Sequence, residues 1–224
     1  MTRVLALETA TDACSIALQV DDELLSRHIV EPRKHADRLL YLVDELLASA
    51  GLTVTALDAI ALGAGPGSFT GVRIAAAAAQ GLAYAADLPL VQVSSLAVAA
   101  LGVQRRHAAP HVAIAFDARM DEVYFGAFVH DGTDLRVAGE QRVADLADIS
   151  LPTLSNKWFA AGAGWSRYLD RLQPGELARI ELSDDPALPE ARDVITLAIP
   201  KWRRGETVPP AEVAPVYLRD RVTR

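Results

Sequence analysis

The sequence is short of several residue types, and each shortage excludes a class of protein. Cys14 is the single cysteine in 224 residues, which excludes an intrachain disulfide and a multi-cysteine metal site. Lysine and arginine number 22 against 29 acidic residues, and the resulting net charge of -7 lacks the basic footprint of a nucleic-acid-binding protein. No apolar run is long enough to span a bilayer, and the first residues lack a signal-peptide layout. We therefore expect a cytoplasmic protein with no membrane contact.

What is present is typical of a globular protein. Hydrophobic residues make up 51% of the chain and charged residues 23%. The length allows one large domain or two small lobes. If the protein serves RNA chemistry, its acidic charge predicts that RNA is reached only through another subunit with a positive surface.

The chain is organised around a glycine-rich stretch, residues 63–73, with the sequence GAGPGSFTGVR. An apolar run leads into it and an alanine-rich segment follows, which predicts a strand, a tight loop and a helix. Ser68 and Thr70 are candidate N-caps, and a helix start of this kind attracts anions. The stretch lacks the Lys-Ser/Thr ending of a P-loop, and its glycine spacing is not that of a dinucleotide site. A structural turn and a phosphate cradle both remain open.

The rest of the first half alternates short apolar runs with helical periods. The predicted elements are strands at 4–7, 15–20 and 24–30, a helix at 35–50, a strand at 58–62, a helix at 70–86, a strand at 88–93 and a helix from 95 to about 102.

The second half repeats the opening layout of strand, acidic turn, strand, tight turn and strand. The predicted elements are strands at 111–116, 123–129 and 135–143, a strand at 158–162, a helix at 166–172, a strand at 179–182 and a helix at 191–204 that Pro200 should kink or shorten. Charge and proline at 104–110 predict the boundary between two lobes, 1–103 and 104–224. The last helix could pack back on the first lobe.

Together these features resemble the actin, sugar-kinase and Hsp70 superfamily, an α/β fold of two lobes that each have a mixed sheet with helices. Four motifs make the resemblance closer, namely residues 5–11 (LALETAT), 65–73 (GPGSFTGVR), 117–124 (DARMDEVY) and 215–219 (PVYLR). They are similar to those of the TsaB family, a subunit of the bacterial machinery that makes threonylcarbamoyladenosine (t6A) on tRNA.

The resemblance implies a non-catalytic subunit that supports a relative, TsaD. TsaD transfers threonylcarbamoyl from threonylcarbamoyl-AMP to adenosine 37 of tRNA. The resemblance also implies TsaE as a third, ATP-hydrolysing subunit, and a homodimer through the first lobe when TsaD is absent. The alternative is an independent small-molecule kinase or nucleotide hydrolase that uses Glu8 and the glycine loop.

TsaD itself binds a metal through two histidines four residues apart. In this chain the corresponding positions fall on Ser95 and Ala99. Alanine offers no ligand atom and serine is a poor ligand. We therefore predict no metal site, no cofactor and no catalytic residue in this chain.

The remaining candidate residues allow two interpretations each. Glu8 could be a catalytic carboxylate or a partner of a metal-bound water, but a non-catalytic acid in an exposed turn is favoured. His35 lacks a second histidine at helical spacing and is predicted to lie on the surface of a helix start. The acidic and basic residues of 117–122 are predicted to form an internal ion pair that holds a turn. Some of the small residues of the second predicted helix are expected to face outward, where they could pair this chain with another subunit.

Two sets of residues summarise these hypotheses. The predicted partner or dimer interface comprises His35, Leu39, Ala75, Ala76 and Ala79. The hypothesised vestigial phosphate loop comprises Glu8, Thr9, Gly65, Gly67, Ser68 and Gly71.

Overall fold

The computed structural model describes residues 1–153 and 157–218. Their contacts divide the chain into two compact units. Over the described residues, the first comprises Met1–Val98 and Pro189–Val216, and the second comprises Ala99–Leu188. The observed division and the predicted one at 103/104 lie within the same helix, α3 (Ser95–His107). Among the described residues, no helix has both the length and the apolar character of a membrane span.

The first unit contains a five-stranded mixed sheet in the order β3-β2-β1-β4-β5. The antiparallel meander predicted at the start of the chain is present, β4 pairs parallel with β1, and β5 pairs parallel with β4. The strands are β1 (Arg3–Glu8), β2 (Ala13–Val20), β3 (Glu23–Val30), β4 (Ala59–Gly63) and β5 (Leu90–Val93).

Helices cover both faces of this sheet, which explains why its central strands are apolar throughout. Leu5 and Leu7 of β1 face a core shared with α1 (His35–Ser49) and α2 (Phe69–Ala86). Val4 and Ala6 point the other way, into a core shared with α6 (Ala191–Arg203). The last helix thus belongs to the first unit.

The second unit contains a six-stranded mixed sheet in the order β11-β10-β6-β7-β8, with β9 also paired to β7. Its core contains Trp158, Trp165 and Phe125. The remaining elements are β6 (His111–Arg119), β7 (Glu122–His130), β8 (Leu135–Val137), β9 (Arg142–Asp145), β10 (Trp158–Ala161), α4 (Ala163–Tyr168), α5 (Pro174–Leu177) and β11 (Ile180–Leu182).

Several predicted boundaries in the second half differ from the structure. The polar turn predicted at 117–122 shrinks to Met120 and Asp121, whose φ values of 56° and 62° are those of a two-residue hairpin turn. The single strand predicted at 135–143 is two strands, β8 and β9, because both pair with β7. The short helix α5 was not predicted. Finally, α6 continues through the exposed Pro200 to Arg203, so the proline does not shorten it.

Candidate functional site

The glycine loop joins β4 to α2 at the edge of the first sheet where the parallel strands end. The side chain of Ser68 caps α2 by accepting a hydrogen bond from the Gly71 N–H at 3.4 Å. The turn after β1 packs directly on this loop. A Cβ at Gly67 would overlap the carbonyl oxygen of Ala10, and one at Gly71 would overlap that of Thr9. Only glycine allows this approach of two backbones.

Three backbone donors of the loop bond to the protein itself. Ser68 N–H donates to the Ala10 carbonyl at 2.7 Å, and Ala64 N–H donates to the Val93 carbonyl at 2.9 Å. Gly65 N–H donates to Ser95 Oγ at 3.2 Å. A phosphate cradle needs such N–H groups free and pointing at the ligand. These three N–H groups are therefore not available to a phosphate.

The chain segment that follows α6 borders the same loop. Val208 forms a backbone bridge with Leu90 at the edge of the sheet. Val216 N–H donates to the Ala64 carbonyl at 2.7 Å, and its own carbonyl oxygen lies 3.1 Å from where a Cβ on Gly65 would be. The motif at 215–219 thus begins beside the glycine loop, although Arg219 lies outside the described residues.

Glu8 is not the exposed turn acid expected from the sequence. It is the last residue of β1, it is fully buried, and it lies against Gly63, where a Cβ would overlap its carboxyl group. Ala10 N–H donates to its Oε1 at 2.7 Å, and Ser95 Oγ donates to its Oε2 at 2.8 Å. Burial raises the pKa of Glu8 to about 7, against the opposing effect of these hydrogen bonds.

Ser95 occupies a structural position at the start of α3. Its side chain links Glu8 to the glycine loop, because it accepts from Gly65 N–H and donates to the carboxylate. Ala99 is buried one turn further along the same helix. In residues 1–153 and 157–218, no group of three or more His, Cys, Asp or Glu side chains is placed to hold a metal ion.

The five residues predicted to form an interface are buried within their own unit. His35 is 6% exposed, and its Nε2 lies 2.7 Å from the Thr11 carbonyl oxygen. Leu39 packs in the core between α1 and the sheet, together with Ala75, Ala76 and Ala79. These side chains therefore face the sheet, and a partner would meet the opposite faces of the two helices.

Those opposite faces carry exposed apolar side chains. On α1, Leu40 and Tyr41 are 52% and 65% exposed, and on α2, Phe69 and Tyr84 are 60% and 79% exposed. Ala77 and Gly81 lie between the two aromatic residues along α2 and are also exposed. We call this set of six residues the helical face. Sequence reasoning missed it because α2 is apolar on all sides, so the helical period does not identify the outward side.

The predicted ion pair in the hairpin of the second unit is present. Asp117 accepts a hydrogen bond from Arg119 N–H at 2.8 Å and forms an ion pair with the same residue's guanidinium at 3.0 Å. Tyr168 O–H donates to it at 3.0 Å, and Arg167 lies 3.5 Å away. These contacts hold the turn between β6 and β7.

Comparison with known proteins identifies the family. The model of the family described as "TsaD: tRNA N6-adenosine threonylcarbamoyltransferase" matches residues 29–169. The tRNA threonylcarbamoyladenosine biosynthesis protein TsaB of Escherichia coli is 38% identical, over 98% of this chain and 96% of that protein. The TsaB of Haemophilus influenzae is 36% identical, over 98% and 94%. The chain belongs to the TsaB family.

Solved structures agree with this assignment. YeaZ from Pseudomonas aeruginosa is 44% identical, with a TM-score of 0.91 over 97% of this chain and all of that one. A second structure, described as an uncharacterized protein with similarity to peptidase YEAZ, also from P. aeruginosa, has the same identity and TM-score over 98% of this chain. The predicted α/β class is confirmed, with two mixed sheets and helices, and the fold is that of the YeaZ structure.

Proposed function

We propose that this protein serves t6A formation on tRNA as a subunit that binds and supports TsaD. TsaD would transfer threonylcarbamoyl from threonylcarbamoyl-AMP to N6 of adenosine 37, with TsaE as the third subunit, in the cytoplasm. The similarity to two TsaB proteins over nearly the whole chain supports the pathway. The observation that carries the binding role is the helical face, because exposed large apolar side chains on two neighbouring helices are typical of an interaction surface.

The helical face has the composition of a binding surface. Aromatic side chains are enriched at the energetic centres of interfaces, and Phe69 and Tyr84 flank the small residues Ala77 and Gly81. Small side chains at these two positions would allow another helix to approach closely. Arg73 stacks on Phe69 with its guanidinium carbon 3.2 Å from the ring centroid, which holds that ring in place.

We propose that a second copy of this chain uses the same surface when TsaD is absent. A two-fold interface is formed by one patch on both subunits, so a relative with the same fold could replace one copy. Homodimer and heterodimer would then compete for the helical face. TsaD would contribute the metal ligands for which this chain has Ser95 and Ala99.

A substitution on the helical face tests the binding role. Tyr84→Arg places a charge in the interface at a position that is exposed in the single chain, so the fold should survive. We expect at least tenfold weaker association with TsaD and with a second copy in analytical ultracentrifugation, since an unpaired buried charge costs several kcal/mol. The matched control is Leu177→Arg, at an exposed leucine of the second unit. If Tyr84→Arg and Leu177→Arg associate equally well, the helical face is not the interface.

A reconstituted reaction tests the supporting role. When the protein is incubated alone with threonylcarbamoyl-AMP and unmodified tRNA, mass spectrometry should detect no modified adenosine. Modified adenosine should be detected once TsaD is added. The chain alone should also bind tRNA weakly at physiological salt, because a net charge of -7 opposes the phosphate backbone. Multiple turnover by the chain alone, or turnover of ATP, would instead support the independent-enzyme alternative.

A further inference from the structure

A concave site lies in the second unit, and none of its lining residues belongs to the glycine loop. It is a cavity of about 320 Å³ at the starting ends of β6, β10 and β11, which are parallel to one another. This volume is at the lower end of the range for small-molecule sites. The side chains that bear on its chemistry are His107, His111, Lys157, Phe159 and Glu181.

Three polar groups in this cavity are uncommitted. Over the described ranges, the side chains of Lys157 and Glu181 have no hydrogen bond or ion pair, and they form none with each other. The imidazole of His111 lies in a T-shaped arrangement with Trp158, with ring centroids 5.9 Å apart, and likewise has no hydrogen bond to a described residue. A cation, a carboxylate and an imidazole therefore line one small cavity with their polar atoms open to a ligand.

The aromatic wall of the cavity is held by other residues. The ring of His107 lies on that of Phe159, with centroids 4.8 Å apart. The Nε2 of His107 lies 2.7 Å from Asp185 Oδ2. Asp185 in turn accepts from Arg106 Nε at 3.0 Å and from Ala187 N–H at 2.8 Å. This chain of contacts fixes the aromatic wall without using the three uncommitted groups.

The register of the sheet places the carboxylate beside the ring. Phe159 and Glu181 are direct partners across β10 and β11, so their side chains lie on the same face. A planar ligand against Phe159 would thus meet a hydrogen-bond acceptor at its edge. An aromatic anion without N–H groups would give the Glu181 carboxylate no hydrogen bond and would be repelled by its charge. A ring with N–H donors would instead donate a hydrogen bond to this carboxylate.

We propose that this cavity binds a nucleoside phosphate. The base lies against Phe159, its exocyclic amino group donates to Glu181, and the phosphate pairs with Lys157 and with His111. Stacking on an aromatic side chain together with a nearby cation is how proteins hold single nucleotides. The same chemistry would fit a free nucleotide or one nucleotide of a single-stranded RNA. The proposal is independent of TsaD binding.

Isothermal titration calorimetry on the full chain tests the proposal. The probes are AMP, IMP, adenosine, ribose 5-phosphate and a five-residue single-stranded oligoadenylate. We expect AMP to bind at least tenfold more tightly than adenosine or ribose 5-phosphate, and more tightly than IMP. An oligonucleotide that binds better than AMP assigns the site to RNA, and the reverse assigns it to a free nucleotide. Absence of AMP binding at millimolar concentration overturns the proposal.

Variants locate the binding. Lys157→Ala should weaken the binding of AMP at least tenfold. Glu181→Gln should remove the preference for AMP over IMP. Both residues are exposed, so the fold should be retained, which circular dichroism checks. The matched control is Lys34→Ala, which removes the same charge from an exposed lysine of the first unit. AMP binding that is equal in Lys157→Ala and Lys34→Ala, or equal for AMP and ribose 5-phosphate, contradicts the assignment.

Discussion

The buried Glu8 should make the stability of this protein fall as the pH rises towards neutrality. The carboxyl group is fully buried, and among residues 1–153 and 157–218 it forms no ion pair with a basic side chain. Burial raises its pKa from 4.5 to about 7. Each pH unit between the two values is worth about 1.4 kcal/mol, so ionisation of Glu8 in the folded protein costs about 3 kcal/mol.

The sign of the effect follows from where the proton is held. Between about pH 4.5 and 7 the folded protein keeps a proton on Glu8 that the unfolded chain has lost. The free energy of unfolding therefore decreases as the pH rises through this window. The stabilisation that the protonated Glu8 gives to the folded protein is fully present below about pH 4.5 and is lost once the pH passes about 7.

The variant Glu8→Gln isolates this contribution. Glutamine cannot ionise, and its amide oxygen can still accept from Ala10 N–H. Urea unfolding of wild type and variant from pH 4.5 to 8 gives the difference in unfolding free energy at each pH. We expect this difference to change by about 3 kcal/mol in favour of the variant across the range.

The exposed residue Glu23 provides the control. Glu23→Gln should track the wild type within about 0.5 kcal/mol at every pH, as surface substitutions generally do. A Glu8→Gln variant whose unfolding free energy runs parallel to the wild type between pH 4.5 and 7 would refute the reasoning. Burial would then not be what sets the pKa of Glu8.

Four further substitutions test the packing of the first unit, each by urea and thermal unfolding. Gly71→Ala should lower the free energy of unfolding by at least about 2 kcal/mol, because the new Cβ would overlap the Thr9 carbonyl. Gly81→Ala lies in the same helix, and its new Cβ would meet nothing within 4 Å, so this variant should raise the free energy of unfolding by about 0.5–1 kcal/mol. Equal stability of this pair would contradict the close approach. Asp87→Gly should gain about 0.5–1 kcal/mol, since residue 87 ends α2 with a φ of 53°. Ser95→Ala should lose about 1–3 kcal/mol, because it leaves the buried Glu8 carboxyl short of a donor; no loss would show that the bond is not formed.

Local patterns predicted most of the secondary structure. The helix at 35–50 was placed by its apolar period and is observed as α1 (His35–Ser49). The strand, glycine loop and helix at 59–86 were also placed correctly. The predicted strand boundaries are wrong where pairing with a distant strand sets them. Residues 135–143 are an example, because β8 and β9 pair with different residues of β7 and are therefore two strands. Local sequence does not encode which residues of β7 lie opposite.

The sequence by itself determined the family, the two-lobed fold and the glycine loop, because these depend on residue types at fixed local spacings. The tertiary structure alone decided which side chains are exposed. Glu8 is buried because Ser95, 87 residues away, closes over it. His35, Ala75 and Ala79 face the core because α1 and α2 pack on the sheet through those sides. An alanine-rich helix is apolar on every side, so only the packing of its neighbours selects the face that is buried and leaves Phe69 and Tyr84 in solvent.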